Sequence, residues 1–529
     1  MISSQILHRL RVQILQDPDS LEAYSLAECI YRVRPLGIVL PSRRDEVLEV
    51  LALAREEGIP LTARGAGSAV AGQTLGSGII LDFSRRMNRI LEICPEERWV
   101  RVEPGVIPAD LNRTLEAEGL QFAPDPSSSA FCTVGGMIAN NAGGARSVRY
   151  GATRDQVLSL IVAAADGAVF ETGPLPRTEK AAKRGDQAWL TEGLARLVEP
   201  RREAIARVSP DVRRIASGYE LLRPFEEGRI DLTPLLIGSE GTLALTLEAK
   251  LRLIPIPRAI GTALAPFSDL RTLGEAVLIA LRHAPSALEA LDRSFLDLVR
   301  SAGNGSAAGI PANAEAVLII EMEGESPREA AAGLDRLEKE LKAGGACGGI
   351  VRALDPESRR RIWEIRKGAS PILSARQGGM RNTRFIEDAC VPTANLPRFL
   401  EETRRLLAEH RLQAAIFGHA GDAILHVNPM IDPTDPGVGD RMERIAREFA
   451  DMVLSLGGAL SGEHGDGRLR TPLLRRAFGG VAEIFREVKR LFDPTGILNP
   501  GIKVHDGRSR IVDHMDLGPR PSDHTATVW

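Results

Sequence analysis

Three stretches of small residues, each placed beside short apolar runs, most constrain the fold of this 529-residue chain. They span residues 65–72, 124–150 and 238–242. Glycine at a strand end lets the backbone approach a ligand closely and present its N–H groups to a phosphate. Because these stretches carry few charges, together they predict a long, largely neutral backbone groove. Such a groove suits an extended dinucleotide better than a single phosphate.

Each stretch also has a local explanation. The first follows a strand predicted at 61–64 but lacks the classical G-x-G-x-x-G pattern, because Val70 stands three residues after Gly67. The second is rich in Gly, Ser and Asn, which weaken any ordinary helix or strand, and a flexible linker is the alternative there. The third is predicted to be a strand, a tight turn and a second strand over 235–244.

Alternating and helical apolar patterns predict the remaining elements. They indicate strands at 35–41, 79–83, 90–93, 99–102 and 317–322, and helices at 42–57, 106–115 and 327–342. A basic segment at 359–370, followed by Pro371, is also predicted to be a helix. A solvated cationic face is the ordinary explanation of that segment.

Two further glycine-rich stretches, 418–428 and 461–467, contain three of the nine histidines. In the second, glycines on both sides let the adjacent Glu463 and His464 aim at different targets around one centre. His and Glu in turns are typical of a divalent-metal site, so Glu463 is a predicted ligand and His464 a predicted proton carrier.

The first of these stretches brings two more histidines to the same point. His426 and Asn428 fall on one face of a short predicted strand, and His419 comes just before the turn that leads into it. An open His419, His426 and Glu463 set suits Zn or Mn and leaves a position for a substrate oxygen. A hydrogen-bonded cluster of loops is the alternative.

Composition excludes several classes of protein. The net charge of -3, from 67 basic and 70 acidic residues, lacks the basic excess of a nucleic-acid-binding chain. Five cysteines without a C-x-x-C pair argue against an iron–sulfur cluster or a disulfide scaffold. Residues 1–16 show no secretory signal, and no apolar run is long enough to span a bilayer. We expect a cytoplasmic protein without nucleic-acid partners, either free or peripheral at the inner face of the membrane.

The glycine-rich stretches resemble the FAD-binding domain of the vanillyl-alcohol-oxidase superfamily. The resemblance rests on residues 64–72, 133–136, 140–141, 150–151 and 238–242. The two histidine stretches are similar to those of its D-2-hydroxyacid dehydrogenase branch, which includes D-lactate dehydrogenase, the glycolate oxidase flavin subunit and D-2-hydroxyglutarate dehydrogenase. Residues 492–501 also match, and the similarity runs from about residue 34 to residue 504.

The resemblance implies an α+β fold. Residues 34–257 would form a two-subdomain FAD-binding domain of the vanillyl-alcohol-oxidase (PCMH) type. Residues 258–505 would form a substrate- and metal-binding domain with an antiparallel sheet, and its C-terminal segment would return to the flavin. A helical leader at 1–33 and a polar tail at 506–529 complete the expected organisation.

The resemblance also implies FAD as cofactor. Some relatives attach FAD covalently through a histidine. This sequence has no histidine between His8 and His283, so we expect non-covalent binding. The residues at FAD-binding positions are Arg64, Gly65, Ala66, Gly67, Ser68, Ala69, Gly72, Gln73, Pro126, Ser127, Thr133, Gly135, Gly136, Asn140, Asn141, Gly143, Gly144, Tyr150, Gly151, Glu240, Gly241, Thr242 and Asn499.

The implied reaction is oxidation of a small D-2-hydroxy acid to the 2-oxo acid by hydride transfer to the flavin. It needs a base, an electrostatic partner for the developing alkoxide, a clamp for the carboxylate and an oxidant. His464 is the predicted base, and a Zn or Mn ion is the predicted partner of the alkoxide. Its ligands would be His419, His426 and Glu463.

The resemblance implies that Arg366 and Ser370 hold the substrate carboxylate, and their spacing of four residues, which places them on one helix face, supports the pair. Asn428 and His464 are also predicted to contact the substrate. Arg384, with Arg381, would hold a second carboxylate, and a structural Arg–Glu pair is the alternative.

The chain departs from the family pattern at two places. Ala423-Ile424 stands where relatives usually have Gly-Asn, and we expect this to alter the turn beside the metal. Gly501-Ile502-Lys503 stands where Gly-Lys is common, and we expect this to move a surface charge.

The expected partner is a separate electron acceptor, because no cysteine-rich iron–sulfur module follows in this chain. The acceptor would be a quinone, an electron-transfer flavoprotein or an iron–sulfur subunit, and a homodimer is left open. Two other functions are also open: an FAD-dependent oxidase of another alcohol or a sugar, and a non-catalytic flavin-binding subunit of a redox complex.

Overall fold

The computed structural model describes residues 9–176, 187–226, 228–301, 310–345, 349–367 and 379–518. The predicted substrate residue Ser370, and Pro371 after it, lie outside this range. In the described chain, three larger sheets carry the fold, two before residue 253 and one after it. No helix in these ranges combines the length and the apolar character needed to cross a bilayer.

The first sheet has four strands in the order Ile14–Leu15, Gly37–Val39, Ile79–Asp82 and Leu61–Arg64. Its last three strands are parallel. The helix Arg44–Glu57 buries an apolar stripe that includes Val47, Val50 and Leu51 and joins the core of this sheet. The helix ends at Gly58, whose φ of 65° is left-handed and suits glycine.

The second sheet is antiparallel, in the order Ile90–Cys94, Trp99–Val102, Ala244–Arg252, Val157–Ala164 and Val169–Glu171. The longest helices that share one core with it are Pro108–Leu115, Ala188–Val198 and Val481–Phe492. The strands predicted at 61–64 and 99–102 have these bounds in the structure, and those predicted at 35–41, 79–83 and 90–93 differ by a few residues at their ends.

Two glycine-rich stretches differ from what the sequence suggests. Despite the small residues after 124, which weaken helices, Val134–Asn140 and Ser147–Tyr150 are helices. Thr133 caps the first by accepting a hydrogen bond from the Gly136 N–H at 3.2 Å, and its apolar residues are buried. The strand predicted just before Gly238 is the helix Thr233–Leu236.

The third sheet is antiparallel. Its order is Val351–Ala353, Ala259–Phe267, Ala316–Gly324, Ala287–Asp292, Ala414–His419, Ile424–Ile431 and Arg381–Asn382, with Ala389–Cys390 also paired to Ile424–Ile431. One face packs on the helices Leu270–Leu281, Pro327–Ala343, Leu396–Glu409 and Val438–Ser455. The other packs on Arg293–Ser301 and Pro356–Lys367. The strand and helix predicted at 317–322 and 327–342 are therefore confirmed.

Shorter elements complete the described chain. The strands are Leu120–Gln121, Leu175–Pro176, Arg229–Ile230 and Ile254–Pro255, and the helices are Pro18–Tyr24, Thr153–Gln156, Arg202–Val208, Gly467–Arg470 and Leu474–Phe478.

Both ends of the described chain pack onto the body of the protein. Between residues 9 and 33, the described part of the predicted leader, only Pro18–Tyr24 is an α-helix, and Ile14–Leu15 joins the first sheet. Residues 506–518 of the predicted tail dock on this segment, since the Tyr31 hydroxyl donates to the Ile511 carbonyl at 2.6 Å. Ile511 is fully buried, so this part of the tail is not a solvated extension.

Candidate cofactor and substrate site

A cavity of about 1130 Å³ lies between the glycine-rich stretches and the third sheet. Its wall includes fifteen of the residues predicted to bind FAD: Arg64, Gly65, Ala66, Gly67, Ser68, Ala69, Gln73, Pro126, Ser127, Thr133, Gly135, Gly136, Asn140, Glu240 and Gly241. Arg366, His419, Glu463 and His464 line the same cavity. The structure therefore brings these fifteen cofactor residues together with Arg366 and His464, two of the predicted substrate residues, around one space.

The other eight predicted FAD residues lie outside the cavity wall: Gly72, Asn141, Gly143, Gly144, Tyr150, Gly151, Thr242 and Asn499. The need for glycine at 143 and 144 comes from packing, because a Cβ there would overlap the Arg214 guanidinium or the Asp125 backbone. The Tyr150 hydroxyl donates to Glu323 at 2.5 Å. This placement gives no direct support to their predicted contact with FAD.

Asn499 supports the cavity from behind. Its Nδ2 donates to the carbonyls of Gln73, at 2.9 Å, and Glu240, at 2.8 Å, and so ties the first and third glycine-rich stretches together. The Glu240 carboxylate accepts the N–H groups of Asp466, at 2.6 Å, and Gly467, at 2.8 Å. Glu240 thus couples the cavity wall to the loop that carries His464.

The wall fits an extended ligand with polar groups. A Cβ at Gly136 or Gly241 would meet only one protein side chain within 4 Å, and at no less than 3.3 Å, so both positions leave room on the cavity side. Two buried oxygens in the wall, Gln73 Oε1 and Thr74 Oγ1, have no hydrogen-bond partner among the described residues. FAD supplies ribityl, phosphate and ring groups that suit such a wall.

The predicted metal ligands converge on one carboxylate oxygen. Glu463 Oε1 lies 2.9 Å from His419 Nε2, 3.3 Å from His426 Nε2 and 3.6 Å from His464 Nε2. One ligand atom each from His419, His426 and Glu463 lies within 4.8 Å of the other two, and all three residues are buried. Antiparallel pairing of Ala414–His419 with Ile424–Ile431 places the first two histidines side by side.

The Nδ1 atoms of the three histidines lie next to two buried carboxylates. Neither carboxylate was predicted from the sequence. Glu289 Oε1 lies 2.6 Å from His419 Nδ1, and Glu387 Oε2 lies 2.7 Å from His464 Nδ1 and 3.3 Å from His426 Nδ1. Carboxylates in this position orient the imidazole rings. The sequence carries a weak signal for Glu387, as an acid close to two arginines, and none for Glu289.

The charged groups around His419, His426 and His464 form a cluster whose net charge fits a divalent cation. Its buried carboxylates belong to Glu289, Glu387, Asp388, Asp422 and Glu463. Three buried guanidinium groups contact them, those of Arg214, Arg366 and Arg470. With neutral histidines, five carboxylates and three guanidinium groups leave two negative charges. Arg213 also contacts Asp422, but its side chain is 45% exposed and therefore screened by water.

The same carboxylates act on the imidazole rings. Burial disfavours the charged form of His419, but Glu289 and Glu463 outweigh burial and raise its pKa to about 10. Burial also opposes the charged form of His464, while Glu387 and Asp388 raise its pKa to about 9. A metal-bound imidazole is neutral, so protons and a cation compete for this cluster.

The arginines have distinct surroundings. Arg366 donates through Nε to Glu289 Oε2 at 2.8 Å, and its guanidinium carbon lies 4.5 Å from the centre of the Phe417 ring. Arg384 lines the cavity and forms no ion pair with any described residue. Arg381 lies outside the cavity wall and donates to the Gly518 carbonyl at 2.7 Å, and its predicted contact with a second carboxylate stays a prediction.

Three other residues lie differently from expectation. Asn428 is buried outside the cavity wall, and its Nδ2 donates to the His426 carbonyl at 3.2 Å. Ala423 adopts a left-handed φ of 53°, so the turn keeps a conformation that suits the usual glycine. Lys503 is almost fully buried, which makes the prediction of a moved surface charge wrong.

Comparison with known proteins agrees with this arrangement. Residues 35–173 match an "FAD binding domain" family, and residues 256–502 match "FAD linked oxidases, C-terminal domain". The chain is 32% identical to the glycolate oxidase subunit GlcD of Bacillus subtilis, over 91% of this chain and 92% of that protein. It is 33% identical to D-2-hydroxyglutarate dehydrogenase of Pseudomonas putida, over 93% of this chain. It spans only about half, 50%, of that longer relative.

Solved structures show the same fold at low identity. A 4-ethylphenol oxidase from Gulosibacter chungangensis aligns with a TM-score of 0.65 and 16% identity, over 96% of this chain and 97% of its own. A p-cresol methylhydroxylase aligns with a TM-score of 0.65, also at 16% identity, over 93% of this chain and 94% of its own. These likenesses concern the fold, and with the matched FAD-binding domain they confirm the predicted α+β architecture of the vanillyl-alcohol-oxidase type. The chain therefore belongs to the family of FAD-linked oxidoreductases that includes the GlcD subunit and D-2-hydroxyglutarate dehydrogenase.

Proposed function

We propose that this chain oxidises a D-2-hydroxy acid to the 2-oxo acid. The observation that carries the proposal is the cavity itself, whose wall combines glycine-rich stretches with His464, Arg366 and two members of a buried histidine–glutamate set. FAD, held by the fifteen wall residues, would accept the hydride, and a Zn or Mn ion on His419, His426 and Glu463 would stabilise the alkoxide.

The protein's own residues would position the substrate and take its hydroxyl proton. Arg366 is fixed by Glu289 through Nε, and no described residue accepts a hydrogen bond from its two terminal nitrogens, so these could bind a carboxylate. His464 turns Nδ1 to Glu387 and lines the cavity, so Nε2 is the atom that would accept the proton. Loss of hydride and proton together converts the hydroxyl carbon to a carbonyl.

Another arginine of the cavity wall, Arg384, points to the class of acid. Arg384 has no ion-pair partner among the described residues, and unpaired cationic groups favour an anionic ligand. We propose that the substrate has a second acidic group, as in a 2-hydroxy dicarboxylate. A monoacid such as glycolate would leave Arg384 unused.

The electrons would leave to a separate acceptor, for which a quinone, an electron-transfer flavoprotein or an iron–sulfur subunit remain the candidates. GlcD is named as a subunit, which suits an acceptor supplied by another chain.

The test is anaerobic reduction of the purified flavoprotein by D-2-hydroxyglutarate, D-lactate and glycolate, with L-enantiomers as controls. We expect the D-diacid to bleach the flavin absorbance fastest. Chelation should slow reduction at least about tenfold, and Zn or Mn should restore it. Bleaching by sugars or aromatic alcohols, with none by any hydroxy acid, would overturn the proposal.

A further inference from the structure

Among the described acids, Glu387 lies closest to a ring nitrogen of His464, nearer than Asp388 at 3.8 Å and Glu463 at 3.6 Å. Its side chain is 1% exposed, and Oε2 lies 2.7 Å from His464 Nδ1. Its other oxygen, Oε1, accepts a hydrogen bond from Arg470 Nη2 at 2.6 Å. Arg470 also donates to the Gly465 carbonyl at 2.7 Å, so the carboxylate and the loop after His464 are held by the same guanidinium.

This arrangement decides which nitrogen of His464 carries a hydrogen. A carboxylate fixed by an arginine has only acceptor capacity toward the ring, so Nδ1 must be the donor. In the neutral imidazole Nε2 is then the free acceptor. A carboxylate that fixes the tautomer of a general base is a known catalytic device in unrelated hydrolases.

We propose that Glu387 is a positioning residue, which holds His464 as the Nδ1–H tautomer with Nε2 directed at the substrate hydroxyl. The inference rests on the proposed function of His464 and adds a residue that acts through it. Glu387 itself would touch neither substrate nor flavin, because it is not part of the cavity wall.

A competing explanation is that Glu387 serves the metal ligand His426. Its distance to His426 Nδ1 is 3.3 Å, longer than the 2.7 Å to His464. The shorter contact favours His464, and the two roles predict different losses. A carboxylate behind a metal ligand affects metal affinity, whereas one behind a base affects the rate.

The first variant is Glu387→Gln. Arg470 would retain the amide oxygen, so the amide nitrogen would face His464 Nδ1 as a donor and force the hydrogen onto Nε2. We expect about a 10²–10⁴-fold slower flavin reduction, with FAD content, metal content and the affinity for the 2-oxo acid product unchanged. Glu387→Asp, which keeps the charge, should recover at least about tenfold of this loss.

The matched control is Glu443→Gln. Glu443 is also a buried glutamate between an arginine, Arg447, and an N–H group, that of Ile511 at 3.0 Å. It lies in the contact that docks the C-terminal segment, so Glu443→Gln should leave flavin reduction within about threefold of the parent.

A readout independent of turnover is the ¹⁵N spectrum of histidine-labelled enzyme, recorded above the His464 pKa of about 9 so that the ring is neutral. The His464 signal is assigned by its loss in His464→Ala. We expect the Nδ1–H tautomer in the parent and the Nε2–H tautomer in Glu387→Gln. If Glu387→Gln does not fold, the parent spectrum decides alone, and an Nε2–H tautomer there would overturn the proposal.

The remaining outcomes separate this inference from the proposed function. Loss of metal in Glu387→Gln, or an unchanged reduction rate, would overturn the role of Glu387 while leaving His464 as base. A normal rate in His464→Ala would instead remove the proposed function of His464, and the inference with it.

Discussion

Glu289→Gln tests the coupling between the metal cluster and the substrate clamp. Glu289 is fully buried, and its two oxygens hold His419 Nδ1 at 2.6 Å and Arg366 Nε at 2.8 Å. An amide of the same shape can accept from only one of these donors, because its nitrogen meets the other as a second donor. One of the two partners must therefore lose its support.

The magnitude depends on which hydrogen bond the amide breaks. A hydrogen bond to a charged group contributes about 1.5–3 kcal/mol, and a partner behind a metal-bound histidine affects metal affinity about 10–100-fold. We expect the variant to lose about 10–100-fold in metal affinity if the amide keeps Arg366. If it keeps His419, the KM of the hydroxy acid should rise by about the same factor.

The assay is titration of chelator-treated protein with Zn or Mn, followed by elemental analysis and by the KM of the metal-saturated enzyme. FAD content serves as the internal control, because Glu289 contacts none of the fifteen FAD residues by a hydrogen bond in the described chain. Metal affinity and KM both within about threefold of the parent would refute the claim that Glu289 supports the two sites.

Local sequence patterns are sufficient for much of the fold. The strand Trp99–Val102 and the helix Pro327–Ala343 follow directly from apolar periodicity. The helix Val134–Asn140 is not predicted by them, because its glycines outweigh the apolar Val134, Met137 and Ile138, which tertiary burial favours.

The site is predictable where its functional residues lie close together in the sequence. His419, His426 and Glu463 follow from two short motifs, and the structure brings them together. Glu289 could not be found in this way, because its link to His419 depends on strand register: the two residues are direct partners across an antiparallel pair, 130 positions apart.

Glycine signals are ambiguous for a physical reason. A missing side chain allows close approach of a ligand, as at Gly136, or of another part of the protein, as at Gly143 beside Arg214. The two cases look the same in sequence. Hence all three glycine-rich stretches border the cavity, while eight of the residues predicted to bind FAD lie behind its wall.

Three further predictions separate the roles of individual residues. His464→Ala should keep metal and FAD but lose about 10²–10⁴-fold in flavin reduction, whereas Glu463→Ala should lose metal, as measured by elemental analysis and stopped flow. An exchange of these losses would exchange the two roles. Arg384→Met should raise the KM of a hydroxy diacid by about 10–100-fold and leave that of a monoacid within about threefold; equal effects on both would remove the second-carboxylate role. The last prediction concerns Lys503→Met. The Lys503 ammonium is buried, and its ion pairs with Asp466 at 2.8 Å and Glu240 at 3.1 Å join the loop after His464 to the cavity wall. Removing the ammonium leaves two buried carboxylates without their cation. The loss of one partner of a buried ion pair costs about 3–5 kcal/mol of folding stability. We therefore expect a lower midpoint of urea unfolding than for the exposed-residue control Lys339→Met, with the loss of FAD preceding global unfolding because the loosened loops form the cavity. A difference below about 1 kcal/mol between the two variants would show that the buried charge cluster does not hold the loops together.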